Sequence, residues 1–187
     1  NRFDNPSVDT FIHKMALKYH YPEKDIREIL QQAQYRADVI AHMNKPYEAK
    51  PWPQYKHHFI DQKVIASGAC FWRKNHRLLY SAQRRFHVPV KIIVGILGVE
   101  SKFGASLGKY RVLNALTTLS FYYPAQTDFF QAQLMAFIQY CKKNHLSPTG
   151  VRGSYAGAIG QPQFMPSSIQ NYAVNNKNTK SIDLTKH

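Results

Sequence analysis

A chain of 187 residues, 44% hydrophobic and 13% aromatic, is long enough for one buried core and too apolar to be disordered. Its net charge of +14 at pH 7 points to an anionic partner, with nucleic acid, anionic lipid and cell wall all open on charge alone. The basic residues are dispersed, the tightest groups being pairs such as Arg84-Arg85 and Lys142-Lys143, which argues against a nucleic-acid-binding arm. The longest apolar stretch, Val88 to Val99, is too short for a membrane span and carries Pro89 and Lys91. Asn1-Arg2-Phe3-Asp4 has neither the charged nor the apolar region of a signal peptide.

Helical periodicity dominates the chain. Pro22-Glu23-Lys24-Asp25 reads as a helix start, and Ile26, Ile29, Leu30, Ala33, Ala37 and Ile40 then make one apolar stripe. A proline-rich connection, Lys45-Pro46 to Pro51-Trp52-Pro53, leads to a long helix marked by Ile65, Ala69, Trp72, His76, Leu79 and Phe86. The next helix holds the apolar stretch up to Glu100, with Gly104 as its expected stop. Leu113 to Phe121 reads as a short helix closed by Tyr122-Tyr123-Pro124, and Phe130, Leu134, Phe137, Ile138 and Cys141 mark another with Asp128 in its first turn. From His145 to Pro166 the chain becomes a structured loop with Gly150, Gly153, Gly157 and Gly160, and Pro166-Ser167-Ser168 opens a last helix through Val174. The expected class is mostly α, with little strand.

Cys70 and Cys141 have no metal-site spacing, and each lies in an apolar-looking helix, so buried free thiols are expected rather than a disulfide. The histidines form no H-E-x-x-H, and neither a phosphate-binding Gly loop nor a G-x-S-x-G elbow is present. No metal and no cofactor is expected.

Glu100 is the residue with chemical promise. As a helix, Ile93, Leu97 and Glu100 share a face, and burial is how a carboxylic acid is kept protonated so that it can donate its proton. A partly exposed glutamate near a helix C-terminus is the plain alternative. Only Asp128 and Asp183 follow it; Asp128 is explained as a helix N-terminal charge and Asp183 lies in a polar tail. Asp38, Glu48 and Asp61 upstream sit in hydrophilic settings. A two-carboxylate glycosidase needs a second, well-placed acid. The pattern instead fits one acid/base carboxylate beside a Gly-rich loop, with a substrate that provides its own nucleophile.

Glu100-Ser101 after an apolar helix, and Gly157-Ala158-Ile159-Gly160-Gln161-Pro162-Gln163-Phe164-Met165-Pro166-Ser167-Ser168, resemble two motifs of lytic transglycosylases. Pro51-Trp52-Pro53-Gln54-Tyr55, Ile92 to Ser101, Asn114 to Phe121 and Gly153-Ser154-Tyr155-Ala156-Gly157 narrow the likeness to the membrane-bound lytic murein transglycosylase B family of bacteria. It runs from about Pro46 to Val174.

The resemblance implies a lysozyme-like core (residues 86–187), incomplete at its C-terminus, with an N-terminal helical segment (1–85) packed on it. It implies cleavage of the bond between N-acetylmuramic acid and N-acetylglucosamine in peptidoglycan, leaving 1,6-anhydro-muramyl ends. Glu100 matches the family's catalytic acid/base. Ser154 and Gln163 match polar positions that would bind the sugar or orient the carboxylate, against loop self-satisfaction as the alternative. Tyr55 and Phe103 would line sugar or peptide sites, against plain packing, and Met165 would be a floor residue. The implied setting is the periplasm of a Gram-negative bacterium, with glycan strands as partner, room for other cell-wall enzymes, and an outer-membrane lipid anchor upstream. A hydrolytic muramidase and a catalytically poor wall-binding protein are the rival readings.

The chain also departs from the family. Asn175 to Asp183 follows the trace of the Asp-rich calcium loop of several relatives but has lysines in place of acids, so no calcium is expected. Gly160-Gln161-Pro162-Gln163 lacks the aromatic and the Gly that some relatives place before the Gln. The chain stops at His187, where family members continue with helices that close the cleft.

Overall fold

The computed structural model describes residues 2–45, 51–53, 56, 60–175 and 182–185. Through them run α1 (Pro6–Tyr19), α2 (Glu23–Gln31), α3 (Ala37–Asn44), α4 (Gln62–Phe86), α5 (Val90–Ser101), β1 (Tyr110–Arg111), α6 (Val112–Tyr122), a 3-10 turn at Pro124–Gln126, α7 (Thr127–Lys143), β2 (Arg152–Gly153) and α8 (Pro166–Tyr172). The mostly helical expectation holds. The strands form one antiparallel pair, Tyr110 opposite Gly153 and Arg111 opposite Arg152.

The stretch before Pro22, for which the sequence names no element, forms α1. Asn5 caps it, accepting the N–H groups of Ser7 at 3.1 Å and Val8 at 3.3 Å, and Val8, Phe11, Ile12 and Met15 bury one face. The stripe from Ile26 to Ile40, expected as one helix, is broken between α2 and α3. Two buried side chains of α6 cause the break: Asn114 Oδ1 accepts the Gln34 N–H at 3.0 Å, and Thr118 Oγ1 accepts the Arg36 N–H at 3.1 Å. These contacts satisfy backbone donors that a continuous helix would have satisfied internally.

Helix α6 is buried from Val112 through Ser120, and α7 lies along it with Phe130, Leu134, Met135, Phe137 and Ile138 inside. Helices α1 to α3 share this core with α6 to α8. Helices α4 and α5 instead form a hairpin with its own small cluster, Leu79, Val90 and Val94. Residue 85, where the sequence places a boundary, lies at the end of α4; the buried side chains group α4 with α5 and the first three helices with the last three. Cys141 is buried, which pushes its thiol up to about 12, whereas Cys70 is exposed on α4 and departs from the buried-thiol expectation; both are free.

Within the hairpin the two helices meet at glycines. The ring of Phe103 lies between Gly68 of α4 and Gly98 of α5; a Cβ at those positions would stand 3.0 Å and 2.9 Å from its Cζ. Phe71 stacks on the same ring, centroids 5.2 Å apart and planes 29° from parallel. Phe103 is itself half-buried, and it also borders the open groove between α4 and α5.

Two substitutions test this architecture. Asn114→Ala removes the acceptor for Gln34 and is expected to lower unfolding free energy by about 1–3 kcal/mol in urea titration. Gly98→Ala, which in an ordinary helix interior would gain about 1 kcal/mol, is expected to destabilise by about 1–3 kcal/mol through overpacking. Adding Phe103→Leu should recover part of that loss; a stabilised Gly98→Ala protein would show that the ring does not set the spacing.

Candidate active site

Helix α5 buries Val90, Val94, Gly98 and Ser101, and leaves Ile92, Ile96 and Val99 about half exposed, at 48%, 52% and 49%. Ile93 and Leu97 lie half-buried on its flank, and Glu100 on the same flank is exposed. This settles the open choice in favour of an accessible glutamate near a helix C-terminus. Among the described residues only one face of α5 is covered, by α4 and Phe103, and no apolar wall surrounds Glu100. Glu100 has no hydrogen bond or ion pair among the described residues.

The helix ends at Ser101, earlier than the expected stop at Gly104. Lys102 takes the left-handed cap, its N–H donating to Gly98 O at 3.1 Å, and the Phe103 N–H donates to Leu97 O at 3.2 Å. Lys102, Phe103 and Gly104 have φ of 49°, 59° and 90°, so two side-chain-bearing residues sit in a region that costs roughly 1–2 kcal/mol each. Ser101 holds this turn. Its buried Oγ accepts the Gly104 N–H at 3.1 Å, and its carbonyl oxygen accepts the Ser106 N–H at 2.8 Å. The sequence reading singled out Glu100-Ser101 as a pair, and the structure gives Ser101 a turn-forming part that its residue type alone does not reveal.

Beyond the turn, the chain returns to the Gly-rich loop. Gly108, at φ 88°, lies so close to Gly153 that a Cβ would fall 2.0 Å from Gly153 O. Gln163 Nε2 donates to Gly160 O at 2.9 Å and to Leu107 O at 3.4 Å. Leu107 and Gly108, in the loop that follows Glu100, thus meet Gln163 and Gly153 of the Gly-rich segment, which also carries Ser154.

Each of these two polar side chains has one function left over. Ser154 Oγ accepts the N–H groups of Ala156 at 3.2 Å and Ala158 at 3.0 Å, so both its acceptor sites are used and its O–H remains to donate. Gln163 uses its amide N–H group locally, and its Oε1 takes no donor among the described residues. The loop self-satisfaction weighed above is thus present, and it orients the remaining donor and acceptor. Phe103 packs inside the hairpin as described, and Tyr55 lies outside the described residues.

An aromatic and charged cluster that the sequence did not announce borders the Ser154 turn. His42 of α3 lies 5.3 Å from the Tyr155 ring and 6.1 Å from the Tyr110 ring. Arg36 grips Asp38 through Nε at 2.9 Å and Nη2 at 2.7 Å and stands 5.4 Å over Tyr110. The hydrogen bonds and charge of that guanidinium hold the Asp38 carboxyl at about 2. No local pattern links residues so far apart in the chain.

No group of three or more His, Cys, Asp or Glu able to hold a metal occurs among the described residues, and none of their helices is long and apolar enough to cross a membrane. Residues 176–181 of the altered calcium loop lie outside them.

The transglycosylase SLT domain matches residues 4–187. The chain is 36% identical over 191 residues to the membrane-bound lytic murein transglycosylase B of Escherichia coli K12, covering 97% of this chain and 53% of that protein. The crystal structure of the Escherichia coli lytic transglycosylase Slt35 in complex with calcium superposes with a TM-score of 0.90 at 37% identity, covering 97% of this chain and 58% of that one. SltB3 of Pseudomonas aeruginosa, in complex with NAG-NAM-pentapeptide, superposes with a TM-score of 0.83 at 25% identity, covering 94% and 47%. The chain thus spans about half the length of the curated relative. The lysozyme-like, mostly helical fold is shared with these structures. A domain match across nearly every residue, joined to Glu100-Ser101 and the fastened Gly-rich loop, places this chain in the transglycosylase SLT domain family.

Proposed function

We propose that the protein is a peptidoglycan lytic transglycosylase with Glu100 as its single acid/base. The carrying observation is the deployment of carboxylates. Glu100 stands exposed at the end of a helix whose following loop is fastened to the segment carrying Ser154 and Gln163, while several other acids serve caps, ion pairs and helix starts. Asp38 is held by Arg36, Asp61 accepts the Val64 N–H at 2.8 Å as the cap of α4, Asp128 lies in the first turn of α7, and Asp183 accepts from Thr185. A single acid/base carboxylate suits a reaction in which the substrate's own groups do the work of the second.

In that reaction the Glu100 carboxylic acid gives its proton to the glycosidic oxygen between N-acetylmuramic acid and N-acetylglucosamine. The C1–O bond breaks as the acetamido oxygen of the muramyl residue closes on C1, giving an oxazolinium and the free 4-hydroxyl of the leaving sugar. The Glu100 carboxylate then takes the proton of the muramyl C6 hydroxyl, whose oxygen attacks C1 and reopens the oxazolinium. The product ends in a 1,6-anhydro ring, and Glu100 is protonated again. Ser154 would donate to a sugar oxygen and Gln163 Oε1 accept from a sugar hydroxyl. Glycan laid over the exposed flank of α5 would exclude the water that reaches Glu100 in the free protein. The family's substrate makes the periplasm the setting; an outer-membrane anchor and other cell-wall enzymes as partners belong to the same proposal.

Mass spectrometry of muropeptides released from purified sacculi tests this. Anhydro-muramyl ends, one water lighter than reducing ends, are expected, with release lowered roughly a hundredfold or more in Glu100→Gln. Reducing ends would mean that water is the acceptor and the protein a muramidase; binding without release would leave a wall-binding protein. Ser154→Ala should slow release about tenfold, and Ser154→Thr, which keeps the hydroxyl, should restore most of it. Equal rates for Ser154→Ala and the parent would remove Ser154 from the site.

A further inference from the structure

The positive charge is dispersed in sequence but gathered in space. At about 100° per residue, Lys63, Arg73, Lys74, Arg77, Arg84 and Arg85 of α4 fall within an arc of about 120°. The other positions in that arc are Ala, Ser and Cys, and every residue in it is exposed. Gly68 and Leu79, the residues that face α5, lie on the opposite side. The row extends about 33 Å along the helix axis.

A merely solvated helix face usually mixes signs, since opposite charges four apart support the helix and like charges weaken it. Helix α4 contains no acidic residue, and Arg73 and Arg77 stand four apart. Lys63, Arg73, Lys74, Arg77 and Arg84 have no ion pair among the described residues, and Arg85 stands 5.2 Å over the Phe86 ring. A row of one sign presented without partners complements an extended polyanion. A membrane-docking face would carry several bulky apolar side chains among its cations, and a face for single-stranded nucleic acid several aromatic ones; within this arc there are none, and one exposed residue of each kind, Leu78 and Tyr80, stands at its edges.

We propose that the cationic row of α4 is a docking site, apart from the catalytic residues, for the carboxylates of peptidoglycan stem peptides. It holds the wall against the hairpin that ends in Glu100. This rests on peptidoglycan being the substrate, as inferred above. Its location is marked by Cys70, the exposed thiol within the arc.

The test measures attachment alone, in the Glu100→Gln protein, by cosedimentation with purified sacculi. Replacing Arg73, Lys74, Arg77, Arg84 and Arg85 with Gln is expected to weaken binding about tenfold or more at low salt and to flatten its salt dependence. Replacing the four arginines with Lys should preserve most of it. Bound sacculi should also slow maleimide modification of Cys70, and sacculi whose carboxylates have been amidated should bind about as weakly as the Gln variant and should not protect. Unchanged binding by the Gln variant, full binding of amidated sacculi, or an unprotected Cys70 would each overturn the proposal. So would stronger attachment to phosphatidylglycerol vesicles than to sacculi, which would make the row a lipid-facing surface. Muropeptide analysis reports on the catalytic reading separately, because attachment is measured here without turnover.

Discussion

The ring of Phe103, lodged between Gly68 and Gly98, fixes how closely α4 and α5 approach, and the rest of the active-site geometry hangs on that spacing. The hairpin has little other buried substance: Leu79, Val90 and Val94 form its cluster, with Phe71 stacked on the ring. The residue that carries the ring also sits in the turn that follows Glu100, at φ 59°. Packing and backbone strain are therefore coupled at one residue. Removing the ring would both loosen the helices and release the turn that follows Glu100.

The hairpin must also be held against the larger core, and two contacts contribute to this. Gly108 approaches Gly153 where no side chain would fit, and Gln163 reaches back to the Leu107 carbonyl. Gln163, which fastens the loop, keeps an acceptor, and Ser154, bonded within its own turn, keeps a donor. Structural and functional readings of Ser154 and Gln163 are in this sense complementary: the backbone contacts orient the groups that remain.

Charge is divided by the same architecture. The acids are few, 11 against 25 lysines and arginines. The described ones upstream of Glu100 are drawn largely into caps and ion pairs, such as Asp61 at α4, Arg27 with Asp9, and Arg36 with Asp38. Glu100 is left accessible in a strongly basic protein, and α4 offers a cationic face with no acid of its own. A polyanionic wall would meet both on one hairpin.

The sequence by itself determined the helical class, the bounds of α6 to within a residue, the positions of α4 and α7, and the two motifs that carry the family likeness. These are local properties: periodic apolar positions, caps and the order of short blocks. Only tertiary structure decided the rest. Asn114 and Thr118, buried on α6 and some 80 residues away in the chain, split one apolar stripe into α2 and α3 by taking its backbone donors. The stop at Ser101 depends on a turn stabilised by a buried hydroxyl, which outweighed the glycine expected to end the helix. Glu100 is exposed because periodicity gives the faces of a helix but not which of them finds a partner, and α5 has one packed against α4 alone. Cys70 is solvent-facing for the same reason, since α4 covers only the side that meets α5.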